Sequence, residues 1–454
     1  MTKKNTLNTF KGTRDISGDE MRWRLNAIKT IQQVFELFGF EPLETPILER
    51  TETLLGKYGD EAENLLFMLA KPHDYGGLRY DHTVPLARFA AANWNKLQKP
   101  YKRYVVGPVF RAENPQSGRF RQFYQCDFDT LGSSSLAIDA EIAAVNYTVL
   151  TRLGFKKEFT IQFNDRRLLN ALVGQMGFKG PLAPYILRAW DKLDKKSLDE
   201  VSEYLEKEAR EFAINPQKLR KTFVTATKGL LEIQNETTQD ILTSLRKRIN
   251  KNTSEVIKPL EELSATIDSL GVPRYSYQLN PLLARGLSYY TGPIFETVVN
   301  QAGVGSVTGG GRFDNLIETM GGPSVPASGS SFGLDRLLAV IEELGIRPEN
   351  SQNTQVFVTI LDQTSTSLVN EALSAATKLR KAGIPTEVYS GGPTKLGKQI
   401  QIAGKKNIPY LLIIGSDEIS RKVVTLKDLG QKKEQKISIN EAISYLKSQL
   451  HAKN

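Results

Sequence analysis

Two runs that read as β-strands, Arg103–Phe110 and Arg121–Asp129, follow one another across ten residues, with Leu78–Tyr80 before them and Phe159–Phe163 after. Spacing this short constrains the fold. Antiparallel strands can be joined by a hairpin, whereas parallel ones need a crossover of roughly a dozen residues or more. The runs therefore predict an antiparallel sheet rather than a doubly wound one. An amphipathic helix precedes them: Met21, Leu25, Ile28, Ile31, Phe35 and Phe38 share a face, and Gly39 ends it. The strand signal returns from Ser276, with Gly-rich turns at Gly303–Gly305 and Gly309–Gly311.

Between these strand-rich regions, from about Leu168 to Gly271, the pattern is helical and charged. Ser197 and Glu200 make a capping box there, and Leu198, Val201, Leu205 and Phe212 a stripe. It reads as a helical insertion into the sheet domain. A polar linker at 346–354 then leads to a segment, 355–454, in which short strands alternate with helices, as in a small, mostly parallel α/β sheet. That segment holds 15 Lys/Arg against 8 Asp/Glu, so +7 of the chain's +10 net charge lies in it. Bulk charge of this kind leans toward a polyanionic partner.

Several chemistries drop out. Cys126 is the only cysteine, and His73, His82 and His451 are scattered, which leaves no basis for a disulfide or for a resident metal. No run of about 18 apolar residues offers a membrane span, and no apolar stretch follows Met1 as a secretory leader would require. With a lone cysteine this predicts a reducing, cytoplasmic setting. Gly392–Lys398 has the spacing of a phosphate-binding P-loop, but Gln399 stands where a magnesium-binding hydroxyl is needed. Gly303 and Gly305 lack the third glycine of a dinucleotide fingerprint.

The densest site-like segment is Phe110-Arg111-Ala112-Glu113, a loop at Asn114–Gly118, and Arg119-Phe120-Arg121-Gln122-Phe123. Alternate residues of a strand share a face, so Arg119, Arg121 and Phe123 are predicted to point with Gln125 and Asp129. Guanidinium groups suit phosphate, and an aromatic ring suits a purine.

This segment resembles the second signature of class II aminoacyl-tRNA synthetases. The first resembles Phe40–Glu49, ending in Thr45-Pro46-Ile47-Leu48-Glu49, and the third resembles Gly333-Leu334-Asp335-Arg336. Further matches are to histidyl-tRNA synthetases: Arg79-Tyr80-Asp81-His82-Thr83-Val84-Pro85, Ala284-Arg285-Gly286-Leu287-Ser288-Tyr289-Tyr290-Thr291-Gly292, and Gly309-Gly310-Gly311-Arg312-Phe313-Asp314. The resemblance covers nearly the whole chain. It implies an α+β catalytic domain of class II type at 1–345, interrupted by the helical insertion, and an anticodon-binding α/β domain at 355–454. It also implies the reaction: histidine and ATP give histidyl-adenylate and pyrophosphate, and the histidyl group then passes to the 3′ end of tRNA(His).

The same resemblance distributes roles. Arg111 and Arg285 would be catalytic, the first holding the α-phosphate and the histidine carboxylate. Glu113, Phe123, Arg119 and Arg336 would bind ATP, with magnesium arriving on the nucleotide. Asp81 and Thr83 would hold the α-amino group, with His82 between them in the histidine-binding set and its side chain pointing away from both. Gln125 would lie at the backbone end, and Asp129, Tyr289 and Tyr290 at the imidazole. A buried carboxylate that needs the ring N–H rejects amino acids lacking it, by roughly 10⁴–10⁵ in comparable sites. A homodimer is implied as well. Two positions depart from the family: His82 stands for a usual Leu in what reads as a strand-like triplet, and Ser288 for a usual Asp. The rival reading is a regulatory paralogue that lacks the C-terminal domain and degrades the ATP-binding arginines, whereas here Arg111, Arg119 and Arg336 persist.

Overall fold

The computed structural model describes residues 7–57, 64–69, 75–116, 118–178, 180–194, 196–208, 215–249, 255–284, 289–300, 305–346 and 354–451. The chain divides into two compact units, Met1–Arg347 and Pro348–Asn454.

In the first unit, α1 (Gly18–Leu37) leads to strands β1 (Glu41–Pro42) and β2 (Leu48–Arg50), the short helix α2 (Thr51–Leu54) and β3 (Gly76–Leu78). Next come α3 (Thr83–Asn93), β4 (Tyr101–Phe110), β5 (Gln122–Leu131), α4 (Leu136–Arg152) and β6 (Phe159–Asp165). Helices α5 (Arg166–Gln175), α6 (Ala183–Asp191), α7 (Leu198–Glu208), α8 (Pro216–Leu231), α9 (Thr238–Arg248) and α10 (Ile257–Ser269) follow. Then β7 (Tyr277–Leu279), β8 (Pro293–Val299), β9 (Thr308–Arg312), β10 (Ala327–Gly333) and α11 (Leu334–Glu343) complete it.

Eight strands form one sheet in the order β1-β4-β5-β10-β9-β8-β6-β7, antiparallel except where β1 meets β4 and β6 meets β7. One face is apolar. Phe35 of α1 lies against Phe128, Phe332 and Tyr104, with ring centroids 5.1, 6.3 and 5.6 Å away. Cys126 and Phe128 of β5 face that core with Ile31, Val34 and residues of α4 and α11. The alternate residues of β5 face the other way, and there the site lies. Helices α5 to α10 stack stripes of Leu, Ile and Val on one another. Their core includes Trp190, whose indole donates to the buried Thr227 hydroxyl at 3.0 Å.

The start of α3 corrects two expectations. Leu78–Tyr80 was to be a strand, and Asp81–Thr83 a strand-like triplet. The strand is instead Gly76–Leu78, paired with β2, and Thr83 opens a helix. The cause is local: Asp81 Oδ1 accepts from the Thr83 and Val84 amides, both at 3.0 Å, and so satisfies donors that a helix start leaves orphaned.

The second unit has strands β11 (Val356–Val358), β12 (Thr386–Val388), β13 (Tyr410–Ile413), β14 (Val424–Asp428) and β15 (Lys433–Ile437), with α12 (Thr366–Lys381), α13 (Leu396–Lys405), α14 (Ser416–Arg421) and α15 (Ile439–His451). Its sheet runs β12-β11-β13-β14-β15. It is evenly mixed rather than mostly parallel: β14 and β15 pair antiparallel through a tight turn in which Asp428 Oδ1 accepts from the Gln431 amide. β15 is charged and exposed, so no apolar alternation marks it in the sequence.

Candidate active site

A cavity of about 260 Å³ opens on the polar face of the eight-stranded sheet. Phe123, Gln125, Asp127 and Asp129, alternate residues of β5, form one wall. Across the ladder, Gly333, Ser331 and Gly329 of β10 stand opposite Gln125, Asp127 and Asp129. Gly309 and Glu296 continue the row from Ser331 onto β9 and β8. With glycine at several of these positions the floor is largely backbone, which leaves room for a ligand to lie against it. At about 3.3 Å per residue, Phe123 and Asp129 mark ends of β5 roughly 20 Å apart.

The far end is acidic. Asp129 lies opposite Arg103 in the β4–β5 register, and the two make a buried ion pair at 2.7 Å. Asp81 and Asp127 are buried beside it. Burial pushes Asp127 up to about 7 and Asp129 up to about 6, with Arg103 opposing the rise in both. Burial first, then the charges of Asp129, Asp81 and Asp127, raises the Tyr290 phenol. Tyr289 packs edge-on against Tyr290 at 5.0 Å and against Phe313 at 6.0 Å. Such an end accepts N–H groups and cations. Gln125 lies between the two ends and donates to the Ser331 hydroxyl at 2.9 Å.

The near end is cationic. The Arg111 guanidinium lies over Tyr80 at 4.2 Å and Phe123 at 5.1 Å, and its Nε donates to the Tyr80 carbonyl at 3.2 Å. Arg119 pairs with Glu113 at 3.0 Å, and Arg336 donates to the Ser306 carbonyl at 2.8 Å. Behind them, Asp335 receives both nitrogens of the buried Arg24, at 2.7 and 3.0 Å, together with the Tyr124 amide at 2.8 Å and Arg14 at 3.2 Å. Fixed donors with flat aromatic faces suit a nucleotide: the cations meet phosphate oxygens, and the rings meet a base.

The cavity brings together Asp81, Thr83, Arg111, Glu113, Arg119, Phe123, Gln125, Asp129, Tyr289, Tyr290 and Arg336. His82 does not line it. Buried behind the wall, its Nε2 donates to the Gly107 carbonyl at 3.2 Å. Burial, Arg79 and Arg103 hold its pKa well below the ordinary value, so the ring is neutral. Arg121 also turns away, contrary to the alternation expected for it. β5 begins only at Gln122, and Arg121 donates to the Glu113 carbonyl and lies over Phe10. Arg285 and Ser288 lie outside the described residues, as does His73.

Sequence reasoning missed Asp127, Arg103, Gly329 and Glu296. Asp127 was within reach, since it falls between Gln125 and Asp129 in the same alternation. Arg103 follows only from the hairpin register, and Glu296 comes from a remote strand with no local signal. Among the described residues no cluster of three or more His, Cys, Asp or Glu could hold a metal ion.

The family model for histidyl-tRNA synthetase matches residues 12–337, and that for the anticodon binding domain matches 355–449. A histidine–tRNA ligase of Wolinella succinogenes is 37% identical over 93% of this chain and 94% of its own length. One from Cytophaga hutchinsonii is 35% identical over 96% of this chain and 98% of its own. The crystal structure of histidyl-tRNA synthetase from Nostoc sp. PCC 7120 superposes with a TM-score of 0.80 at 29% identity, covering 98% of this chain and all of that one.

Proposed function

The chain belongs to the histidyl-tRNA synthetase family, aminoacyl-tRNA ligases that activate histidine with ATP and charge its tRNA, and from that premise we propose how its residues divide the work. ATP lies along the near end of the cavity. Its adenine stacks on Phe123 and meets Glu113, while Arg119 and Arg336 take the outer phosphates; magnesium enters on the nucleotide as part of that substrate. Histidine fills the far end. Its ammonium group meets Asp81 and Thr83, its backbone end Gln125, and its ring Asp129, Tyr289 and Tyr290.

The histidine carboxylate oxygen attacks the α-phosphorus, the bond to the β-phosphate oxygen breaks, and pyrophosphate leaves. No proton moves in this step, so the requirement is cation placement. Arg111 supplies one guanidinium at the junction of the two ends, and Arg285, by the family resemblance, the other. In the second step a ribose hydroxyl at the tRNA 3′ end attacks the adenylate carbonyl, the bond from that carbon to the phosphate oxygen breaks, AMP leaves and the hydroxyl proton is released to solvent.

One observation carries this reading. A single strand, β5, presents an aromatic under a guanidinium at one end of the cavity and a buried carboxylate at the other, with Gln125 between them. Histidine-dependent ATP–pyrophosphate exchange tests it, and a folded sample without exchange would overturn it.

We further assign residues 1–345 to catalysis, with the helices of about 168–271 as an insertion, 346–354 as a linker, and 355–454 to the anticodon of tRNA(His). The basic excess of 355–454 supports this, since phosphate contacts rest on Lys and Arg. A homodimer is favoured by the exposed Ile47, Leu48, Met68 and Leu69 around the β2–β3 pair, because apolar patches of this kind commonly mark interfaces. The cytoplasm is the expected setting, and no described helix is long and apolar enough to cross a membrane.

A further inference from the structure

Among the described residues, Asp129 is surrounded by more acid than base. From the turn before α3 comes Asp81, from β5 itself Asp127, and Tyr290 lies on the same cavity wall. Glu296 of β8 lines the same cavity. From β10 comes only Gly329, with no charge. From β4 comes one guanidinium, that of Arg103, which is 1% exposed and pairs with Asp129 Oδ2 at 2.7 Å. Its Nη2 also lies 3.3 Å from the His82 carbonyl oxygen, to which it donates. Arg79 is buried nearby, donating to the carbonyls of Pro108 and Thr45, but its charge acts on Asp127 and His82 and not on Asp129. His82 is neutral and adds no charge.

We propose that Arg103, which lines no part of the cavity, is the positioning residue on which histidine selection depends: it clamps one oxygen of Asp129 and leaves the other over Gly329 to accept the ring N–H. The inference rests on the reading of Asp129 as the imidazole acceptor. Its physical content is a choice of protonation state. An ionised carboxylate only accepts, whereas a protonated one presents an O–H and asks the ring for a lone pair instead. Burial drives Asp129 toward the protonated form, and Asp81 adds to that drive; Arg103 is the opposing charge. Geometry makes the clamp specific. The β4–β5 register sets Arg103 directly across from Asp129, and the His82 carbonyl at the start of α3 holds its guanidinium. His82 thus serves the site through its backbone, which is why a residue other than Leu is accommodated there.

The test is pyrophosphate exchange by the full chain between pH 6 and 9, with KM measured separately for histidine and ATP. For Arg103→Met the KM for histidine at pH 7 should rise tenfold or more, the KM for ATP should stay within twofold, and the loss should shrink as the pH approaches 9. Arg103→Lys, which keeps the charge but not the fork, should show a two- to fivefold rise with the parent's pH profile. An unchanged KM for histidine, an equal change in both KM values, or a loss independent of pH would each overturn the inference. If Arg103→Met does not melt as a folded protein, Arg103→Lys decides alone: parent-like values, or equal shifts for both substrates, would sink it. Asp129→Asn separates the two layers. Should it raise the KM for histidine while Arg103 variants do not, the inference fails and the reading of Asp129 stands. Should it leave that KM unchanged, the reading itself fails.

Discussion

Gly329 stands directly across the β5–β10 ladder from Asp129, and the carboxylate lies in the space where a Cβ at Gly329 would go. The glycine is therefore part of how the acid is aimed. Gly329→Ala should push Asp129 off its position and raise the KM for histidine at least tenfold, with the KM for ATP within twofold. The added methyl should also cost about 1–3 kcal/mol in stability, as overpacking generally does. Exchange kinetics and a melting curve check both parts, and an unaltered KM for histidine would show that the close approach is incidental.

Asp335 gathers Arg24, Arg14 and the Tyr124 amide, so it ties α1 and the segment before it to the strand that carries Phe123. Removing one partner of a buried ion pair costs on the order of 3–5 kcal/mol. Arg24→Met should thus lower the melting temperature sharply. Because Tyr124 neighbours Phe123 and Asp335 neighbours Arg336, the surviving activity should show a raised KM for ATP and little change for histidine. A variant that melts lower yet keeps both KM values would restrict Arg24 to a structural role.

The acidic end should be visible in the pH dependence of stability. Unfolded aspartates release their protons near pH 4, whereas Asp127 and Asp129 hold theirs up to about 7 and about 6. Between those limits the folded state binds more protons, so stability from these groups is fully present below pH 4 and lost as the pH rises through 6 to 7. Asp127→Asn abolishes one such titration. At pH 8 it should be more stable than the parent by up to about 4 kcal/mol, read as a higher melting temperature, and the difference should close toward pH 4. A constant offset across that range would mean that Asp127 does not carry the titration.

Deleting 355–454 should leave histidine-dependent pyrophosphate exchange within about twofold and depress tRNA charging at least tenfold. Each unit has a hydrophobic core of its own, centred on Phe35 and Phe128 in one and on Val358 and Leu412 in the other. Charging that survives the deletion unchanged would remove the anticodon role from this segment.

Much of this was legible in the chain because it is local. The alternation Phe123–Gln125–Asp129 needs only a strand's two-residue period, and the helices between Leu168 and Gly271 declare themselves by their apolar stripes. What escaped depends on contacts between distant residues. Arg121 was misassigned since nothing in the sequence marks β5 as starting at Gln122. Asp81 reads as a strand residue until its carboxylate is seen to cap the Thr83 and Val84 amides. Arg103 and Gly329 acquire meaning only from register, which is a property of two strands rather than of one. β15 escaped for a different reason: its Lys and Glu pattern carries no apolar face to detect.

The β4–β5 hairpin also behaves as a reading frame. The cavity-lining residues of β5, Phe123, Gln125, Asp127 and Asp129, share one odd-numbered step, and Cys126 and Phe128, which face the aromatic core, share the other. Losing or gaining a single residue between Gln122 and Gln125 would exchange the two sets downstream, placing Phe128 in the acid pocket and Asp129 in the aromatic core. Substitutions along this strand can thus be accepted one at a time, but its length can change only in pairs. Arg103 and Gly329 would then each have to follow Asp129 to a new rung, so the strand's length is held by three chain segments at once.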